Sequence, residues 1–468
     1  MNQHRRGFLR KIGLVLLVMV YAGCVPAWGM SNQAQGRKPN VVIFFTDDQG
    51  TLDVNCYGSK DLYTPTMDRL AETGVRFTQA YAHTVCCPAR AMLMTGRHPQ
   101  RGNVNSWMQG DAKSATKGLN MFREEITIAE MLKGAGYSTA LFGKWHLGAH
   151  MDHGPTEQGF DEFIGCRDGF IDNYNHYFLH GKGFHDLYEG KEEVFMRDTY
   201  FPDLVTERAI QFLDRNEKTP FLMVVAFNIP HYPEQADTQF DDRYKDLDMP
   251  RQSYAKVVST TDDRMGRVVK KIEALGLREN TIIIFMSDNG HSTEDAHIRV
   301  DNHTSGYPKG HHYGPFGGGG NTGKWRGAKG SFYEGGIRVP AMISWPAKLP
   351  MGAVRDQAIT AADWLPTIME LCDVPLPDVT LDGKSILPII RSADAPTHHT
   401  VMHWNWQDKW AAREGDWKLL GKGQESQFLG NLNDPQPEKK NYIKEQPGIA
   451  ERLQALHHEW LKDVQPQR

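Results

Sequence analysis

The sequence is poor in cysteine and in excess charge, and each shortage excludes a class of protein. Six scattered cysteines in 468 residues, without a CxxC pair, are too few for a disulfide scaffold and do not form a zinc ribbon. A formal net charge of −4 argues against general binding to nucleic acid. With 40% hydrophobic and 24% charged residues, the chain has the composition of a globular protein with a large core.

The N-terminus has the order of an export signal. A basic start is followed by an apolar stretch over residues 12–22 and then by small residues, and RRGFL resembles a twin-arginine signal. We predict a signal peptide over residues 1–29; its four basic residues would leave a net charge of −8 on the remaining chain. We therefore expect an exported protein, periplasmic or secreted, with no transmembrane domain in the mature chain. Lipid anchoring through Cys24 is the alternative, and the oligomeric state stays open.

Four short apolar runs without alternation have the character of strands that are buried on both faces. They are NVVIFF (40–45), YSTALF (137–142), FLMVVAF (221–227) and TIIIFM (281–286). Segments with helical spacing lie between them, the longest from Ser253 to Leu277. This alternation predicts an α/β protein with a large, mostly parallel central sheet and helices on both faces.

The character of the sequence changes at WPAKLP (345–350), where two prolines indicate a join. Shorter mixed segments follow, with a last helix in which Leu453, Leu456 and Trp460 have the spacing of an apolar face. We therefore predict a large domain over residues 38–345 and a smaller domain over residues 346–468.

Polar side chains follow the predicted strands at the points where these end. They are Asp47 and Asp48, Asp288 and Asn289, Lys144 and His146, and His231. Because ligands of parallel sheets lie outside the carboxyl ends of the strands, we expect these groups to meet at one edge. Three carboxylates and an amide oxygen form an all-oxygen set, which suits a hard dication such as Ca²⁺ or Mg²⁺. Taken singly, each aspartate is more often a helix cap or turn residue, but DD and DN at two separate strand ends favour a ligand set.

The stretch CCPAR places Cys86 and Cys87 side by side, and neighbouring cysteines are poor disulfide partners. Pro88 indicates the first position of a helix, so we expect Cys86 beside a helix N-terminus. Since the helix dipole favours an anion there, an activated catalytic thiolate is one interpretation. A plain buried cysteine is the other.

CCPAR followed by AMLMTGR resembles the C-x-P-x-R…T-G-R signature of the type I, formylglycine-dependent sulfatases of the alkaline phosphatase-like superfamily. The resemblance continues in order along residues 41–420, through TDDQG (46–50), GKWHLG (143–148), PH (230–231), SDNG (287–290), RGAKGSFYEGGIRVP (326–340), DWLPTI (363–368) and GDWKL (415–419). It implies that the smaller C-terminal domain is α+β, with an antiparallel sheet and a packed helix.

The resemblance also implies that a sulfatase-maturing enzyme oxidises Cys86 to formylglycine, while Cys87 fills a variable position. The hydrated aldehyde offers one hydroxyl that attacks the sulfate sulfur and a second whose deprotonation expels sulfate.

Further roles implied by the resemblance fall into three sets. Ca²⁺ is bound by Asp47, Asp48, Asp288, Asn289 and the modified Cys86. The other catalytic residues are Arg90, which holds the aldehyde, Lys144 and Lys329, which clamp sulfate, His146, which takes a proton, and His231, which donates one to the leaving alcohol. His291 could equally support the metal ligands or face the substrate. His403 and Arg413 are expected near the substrate if the C-terminal domain folds over the cleft.

Three segments are assigned on composition. The aromatic segment 166–186 could line a sugar pocket, and the loop over residues 292–323 is expected to shape substrate access. The histidines of that loop are expected to be solvated rather than to bind a second metal; they are His297, His303, His311 and His312. Trp404 and Trp406 either contact substrate or hold the C-terminal sheet to the large domain.

Together these features predict a sulfuric ester hydrolase, arylsulfatase-like, which removes sulfate from an exported or extracellular substrate. The expected partner is a sulfated carbohydrate or another sulfate ester, and no nucleic acid. A phosphomonoester or phosphonate hydrolase of the same superfamily is one alternative. A non-catalytic sulfoglycan-binding protein, in which Cys86 stays unmodified, is the other.

Overall fold

The computed structural model describes residues 37–110, 120–294, 302–315 and 317–465. The chain divides into a short unit ending at Arg37 and a large unit that begins at Lys38, and everything below concerns the large unit. The predicted signal peptide and Cys24 lie outside the described residues. Within the described ranges, no helix combines the length and the apolar character needed to cross a bilayer.

The described residues form seventeen strands and ten α-helices. The strands are β1 Asn40–Thr46, β2 Val75–Tyr81, β3 Ser138–Gly143, β4 Glu162–Gly165, β5 Tyr177–Phe178, β6 Phe184–His185, β7 Tyr188–Glu189, β8 Glu192–Glu193, β9 Phe221–Ala226, β10 Thr281–Ser287, β11 Arg338–Ser344, β12 Ala353–Arg355, β13 Ile359–Thr360, β14 Val401–Trp406, β15 Lys409–Glu414, β16 Trp417–Lys422 and β17 Glu425–Asn431. The helices are α1 Pro65–Glu72, α2 Cys86–Thr95, α3 Ile128–Gly134, α4 Phe201–Arg215, α5 Asp241–Tyr244, α6 Arg251–Ala274, α7 Glu334–Ile337, α8 Trp364–Leu371, α9 Leu387–Arg391 and α10 Pro447–Val464.

The central sheet has eleven strands within the described residues, in the order β12-β2-β11-β10-β1-β9-β3-β4-β7-β8, and β13 also pairs with β2. Strand β1 is parallel to both β10 and β9, and β3 is parallel to β9 and β4. Antiparallel pairs join β11 to β10 and to β2, and β7 to β4 and to β8. The four predicted apolar strands are β1, β3, β9 and β10, and they are adjacent. The predicted α/β class with a mostly parallel sheet is confirmed.

Strand β1 lacks alternation because both of its faces are buried. Val41, Ile43 and Phe45 belong to one apolar cluster, which includes residues of α2, α3 and α8. Val42 and Phe44 belong to a second cluster, formed with α1, α4 and α6. Helices therefore cover both faces of the sheet, as predicted.

A second, four-stranded antiparallel sheet, β14-β15-β16-β17, lies near the C-terminus, and α10 packs against it. The helix buries Ala450, Leu453 and His457, whereas Leu456 is 36% exposed. The prediction that Leu456 lies on the apolar face of α10 was therefore wrong, because His457 takes the inward position. The domain boundary at 345/346 stays a prediction; β12 and β13, which follow it, pair with β2 of the large sheet.

A buried cluster of charges joins the two sheets. Lys418 of β16 places Nζ 2.8 Å from Oε1 of Glu334 in α7 and 2.7 Å from Oε1 of Glu438. The Tyr81 hydroxyl donates to the other Glu334 oxygen at 2.7 Å. Burial raises the pKa of Glu334, but the surrounding cations, Lys418 first, lower it overall to about 2. This carboxylate is therefore ionised in the folded protein.

We predict that Lys418→Met lowers the free energy of unfolding by about 3–5 kcal/mol, because it leaves two buried carboxylates without their shared cation. Urea denaturation measures the change. The control is Lys462→Met, which removes an exposed cation 2.9 Å from Glu459 and should change stability by less than about 0.5 kcal/mol. Equal effects in the two variants would contradict the assignment.

Candidate active site

The register of the central sheet brings the predicted oxygen ligands together. Strands β1 and β10 end side by side, with Thr46 paired to Ser287, so the residues that follow them are neighbours. The Asp48 amide donates to Asp288 Oδ1 at 3.1 Å, and Asn289 Nδ2 donates to Asp48 Oδ1 at 2.7 Å. Asp48 has φ of 63°, a conformation that aspartate tolerates better than most residues.

These oxygens fit a hard divalent cation. Asp47, Asp48, Asp288 and Asn289 are at most 1% exposed, and Asp47 Oδ1 and Asn289 Oδ1 are buried without a hydrogen-bond partner. Unpaired buried oxygens are costly unless a cation or donor satisfies them. The Cys86 sulfur and one carboxylate oxygen each from Asp47 and Asp288 lie within 4.8 Å of one another. The donor set is that of Ca²⁺ or Mg²⁺.

Three cations surround the carboxylates. Arg90 donates to Asp288 Oδ2 at 2.8 Å and to the Lys144 carbonyl at 2.9 Å. Lys144 Nζ donates to Asp47 Oδ2 at 2.5 Å, and Lys329 Nζ donates to Asp48 Oδ2 at 2.9 Å. Each aspartate thus accepts a hydrogen bond from a different cation, and Arg90 also lies 3.9 Å from Asp47 Oδ2.

The charges set the pKa values of the carboxylates unequally. Burial raises the pKa of Asp47, but Lys144 and the neighbouring cations hold it below its ordinary value overall. Burial outweighs the cations at the other two positions, where the pKa of Asp48 rises to about 6 and that of Asp288 to about 7. The site therefore favours more positive charge than these side chains supply.

A glycine fixes the position of Lys144. Gly143 has φ of 118°, and a Cβ there would lie 1.9 Å from the Ala226 carbonyl oxygen of the neighbouring strand β9. That same oxygen accepts a hydrogen bond from the Lys144 amide at 2.8 Å. The close approach of β3 to β9 therefore directs Lys144 towards the carboxylates.

His231 follows strand β9 and contacts Lys329. Its Nδ1 lies 2.6 Å from the Tyr232 carbonyl, which can only accept, so Nδ1 carries a proton. Nε2 then accepts from Lys329 Nζ at 2.9 Å. Burial, and Lys329 after it, lower the pKa of His231 to about 3, which keeps the ring neutral.

His146 has neither ring nitrogen hydrogen-bonded, although it is 1% exposed. Its backbone is held in the left-handed region, with φ of 57°, and its ring stacks on Trp107 with a centroid distance of 6.3 Å. Burial lowers its pKa well below the usual value. A neutral, unpartnered imidazole of this kind can accept a proton.

Cys86, His146, His231 and Lys329 line a single cavity of about 280 Å³. Its other lining residues are mostly aromatic or polar, namely Trp107, Gln109, Gly169, Phe170, His180, Tyr232 and Glu294. Three of them come from the aromatic segment 166–186, and Glu294 from the loop over residues 292–323. The sequence analysis missed Trp107 and Gln109, whose short NSWMQG stretch shows no periodicity; its isolated tryptophan was the available signal.

Helix α2 begins at Cys86, two residues before the predicted start at Pro88. Cys86 is 2% exposed, and burial raises the pKa of its thiol to about 11, with the Lys144 charge opposing this shift. Burial of Cys86 thus favours the neutral thiol over an activated thiolate. Cys86 and the other cysteines of the described residues, Cys56, Cys87, Cys166 and Cys372, are free thiols.

The three residues expected nearer the substrate do not line this cavity. His291 lies against a neighbouring cleft, with its carbonyl accepting from the Lys329 amide at 3.0 Å. His403 stacks on Trp460 of α10, with a centroid distance of 5.0 Å. Arg413 donates to the Tyr81 hydroxyl and to Gln79 Oε1 within the charge cluster between the sheets. The expected positions of His403 and Arg413 at the cleft were wrong, because their strand faces point elsewhere.

The tryptophans of β14 hold the C-terminal sheet to the large sheet. Trp404 Nε1 donates to the Ala82 carbonyl at 2.9 Å, and Trp406 packs edge-on against Trp107 with a centroid distance of 5.3 Å. In the access loop, His303 Nε2 lies 3.0 Å from the Phe178 carbonyl and His311 stacks on Tyr307.

Among the described residues, neither His303, His311 nor His312 belongs to a group placed to hold a metal. His297 lies outside the described residues.

Comparison with known proteins extends the resemblance. The sulfatase family profile matches residues 39–374, and the profile of the N-sulphoglucosamine sulphohydrolase C-terminal region matches residues 324–463. Arylsulfatase A of Homo sapiens is 31% identical over 435 residues, which cover 86% of this chain and 78% of the relative. Arylsulfatase J of Mus musculus is 30% identical over 411 residues; these are 82% of this chain but only 64% of that protein's length.

A solved structure has the same fold over nearly the whole chain. Ps i-CgsB in complex with k-i-k-neocarrahexaose is 27% identical, has a TM-score of 0.78, and is matched over 92% of this chain and 94% of its own. These relatives support hydrolysis of sulfate esters. With the family profile covering most of the chain and the oxygen ligands, cations and Cys86 gathered at one edge of the sheet, the chain belongs to the sulfatase family.

Proposed function

We propose that this protein hydrolyses sulfate esters of carbohydrates outside the cytoplasm, with Cys86 converted to formylglycine and Ca²⁺ bound beside it. The observation that carries the proposal is the placement of Cys86 in one cavity with His146, His231 and Lys329, within 4.8 Å of the aspartate oxygens. A sulfatase-maturing enzyme is the partner required for the oxidation.

Formylglycine and Ca²⁺ would supply the nucleophile and positive charge. A hydrated formylglycine at position 86 would provide a hydroxyl nucleophile at neutral pH, and Asp47, Asp48, Asp288 and Asn289 would hold a Ca²⁺ that provides electrostatic stabilisation. The formal charges of Arg90, Lys144 and Lys329 equal those of the three aspartates, so a bound dication would make the site net positive. A sulfate group whose oxygens gain negative charge is favoured in that surrounding.

Two histidines are placed for the two proton transfers. His231 Nε2 accepts from the Lys329 ammonium at 2.9 Å, so Lys329 can pass a proton through Nε2 to the leaving alcohol, after which solvent returns a proton to Lys329. His146, neutral and without a hydrogen-bond partner, accepts a proton from the nucleophile side of the same cavity. Lys144 and Lys329 position the sulfate oxygens, and Arg90 orients the side chain at position 86 and pairs with Asp288.

A carbohydrate substrate is supported by the aromatic wall of the cavity, since Trp107, Phe170 and Tyr232 offer flat apolar faces of the kind that sugar rings contact. Ps i-CgsB, whose structure contains k-i-k-neocarrahexaose, is one relative with a bound saccharide. The predicted signal over residues 1–29 supports action outside the cytoplasm, and residues 38–345 and 346–468 are the proposed catalytic and C-terminal domains.

We predict that, after coexpression with a maturing enzyme, the peptide containing Cys86 is about 18 Da lighter than its cysteine form. Cys86→Ala and Cys86→Ser should each reduce kcat for an aryl sulfate to less than roughly a thousandth of the wild-type value, because neither offers two hydroxyls on one carbon. The matched control, Cys87→Ser, should stay active. Wild-type activity with an unmodified thiol would refute the proposal.

The same preparations separate the alternatives. Comparison of kcat/KM for matched aryl sulfate and aryl phosphate distinguishes a sulfatase from a phosphoesterase. Saccharide binding without turnover by matured protein would instead favour the sulfoglycan-binding protein.

We predict that Ca²⁺ stabilises the chelator-treated protein, by about 2.7 kcal/mol at 100 times its dissociation constant. Asp47→Asn should weaken Ca²⁺ binding by more than about 100-fold, since it removes a charged ligand. Thermal unfolding and calorimetric titration both measure this without reference to activity. Asp408→Asn, at an exposed aspartate near Lys422, is the control and should bind Ca²⁺ normally; identical titrations for both variants would place the ion elsewhere.

We predict that Gly169→Ala impairs catalysis while leaving the fold intact. The added Cβ would lie 3.1 Å from His146 Cε1 and 3.3 Å from Nε2, and that ring has no hydrogen bond to hold it in place. We expect kcat/KM to fall by about 100-fold, as for other small misplacements of a catalytic group. Gly134→Ala, where nothing lies within 4 Å of the new Cβ, should leave kcat/KM unchanged.

A further inference from the structure

A second group of potential metal ligands lies outside the active site. Asp363 precedes helix α8, and His398 and His399 lie in the loop before β14; one ligand atom from each lies within 4.8 Å of the others. His399 Nε2 is 2.7 Å from Asp363 Oδ2, and His398 Nε2 is 3.4 Å from Oδ1. His399 lines a separate cavity from the one that contains Cys86.

The free lone pairs of Asp363 face the two imidazoles. The Thr360 amide donates to Oδ2 at 2.7 Å and the Lys384 amide to Oδ1 at 2.9 Å, which occupies one lone pair on each oxygen. Asp363 is fully buried, and although burial acts the other way, His399 and His398 lower its pKa, so it is ionised. Each remaining lone pair requires a positive partner, either a proton on Nε2 or a metal ion.

We propose that Asp363, His398 and His399 bind Zn²⁺. Two imidazole nitrogens and one carboxylate oxygen are a common ligand set of zinc, and they do not suit Ca²⁺, which prefers oxygen. Tetrahedral zinc needs ligand separations of about 3.3 Å. With Oδ1 of Asp363 as the ligand oxygen, His398 Nε2 at 3.4 Å already has this separation, and His399 Nε2 at 3.0 Å has to withdraw by roughly 0.3 Å.

Each ligand can adopt the required protonation state. Zinc takes the Nε2 lone pair of each imidazole, whose one proton then resides on Nδ1, and any second proton passes to solvent. The carboxylate keeps its two backbone hydrogen bonds, which hold it in one orientation. Metal-binding carboxylates are commonly oriented by such hydrogen bonds. A cavity of about 130 Å³ beside His399 has room for a water as fourth ligand.

The zinc would cross-link two parts of the chain that are distant in sequence. Asp363 and His399 are 36 residues apart, and the loop they close leads directly into β14. Closing such a loop with a metal restricts the unfolded chain and stabilises the folded one. The class of ligand is thus a structural divalent cation, distinct from the proposed Ca²⁺ in both position and donor type.

The test is zinc binding by tag-free protein that is kept saturated with Ca²⁺, so that the active-site oxygens are occupied. Bound zinc is counted by elemental analysis after equilibrium dialysis, and affinity is measured by calorimetry. The test variant is the double substitution His398→Ala and His399→Ala. The matched control is His311→Ala and His312→Ala, another adjacent pair in a loop, for which the described residues show no aspartate placed to complete a site.

We expect one zinc per chain with about micromolar affinity or tighter in the wild type and the control, and at least 100-fold weaker binding in the test variant. Zinc should also raise the Tm of the wild type and of the control variant, but not that of the test variant. No zinc in the wild type, or equal zinc in all three, would overturn the proposal; the first would mean that the histidines simply donate protons to Asp363.

X-ray absorption of the zinc-loaded wild type provides a measurement that does not depend on folding of the variant. A spectrum that shows scattering from two imidazole rings and about four ligand atoms around the zinc would support the site. An all-oxygen, six-coordinate spectrum would refute it.

Discussion

Three carboxylates buried at one edge of the sheet can be ionised together only if positive charge surrounds them. Lys144, Arg90 and Lys329 supply part of this charge through contacts of 2.5 to 2.9 Å with separate aspartates. The raised pKa values of Asp48 and Asp288 show that burial still favours a further cation. The cations come from three parts of the chain, the end of β3, helix α2 and the segment before α7. Since each must reach the ends of β1 and β10, the charge balance constrains how these elements pack around the sheet.

Aromatic contacts, rather than charges, connect the C-terminal sheet to this edge of the large sheet. Trp406 of β14 packs against Trp107, and Trp107 stacks on His146. His146 has no hydrogen bond to fix its ring, so these aromatic contacts are what define its orientation among the described residues. The C-terminal sheet therefore supports a catalytic side chain without itself lining the cavity around Cys86.

Sequence reasoning succeeded where one physical rule decides position. The apolar strands were recognisable because burial on both faces removes alternation, and the convergence of Asp47 and Asp288 follows from the parallel topology. It failed where position depends on which face of a strand meets which neighbour. His403 and Arg413 lie in adjacent antiparallel strands, and only the packed structure shows that one faces α10 and the other faces Tyr81.

The charge cluster and the proposed zinc site bear on the same problem, which is how β14–β17 are held against the large sheet. Lys418 and Glu334 join the sheets at one place, while Asp363 and His399 join the loop before β14 to the start of α8. Because β14 carries Trp406, restraint of that loop also restrains the ring that supports Trp107. Zinc bound there would therefore act on catalysis only indirectly, through the orientation of His146, and its loss should alter kcat more than substrate affinity.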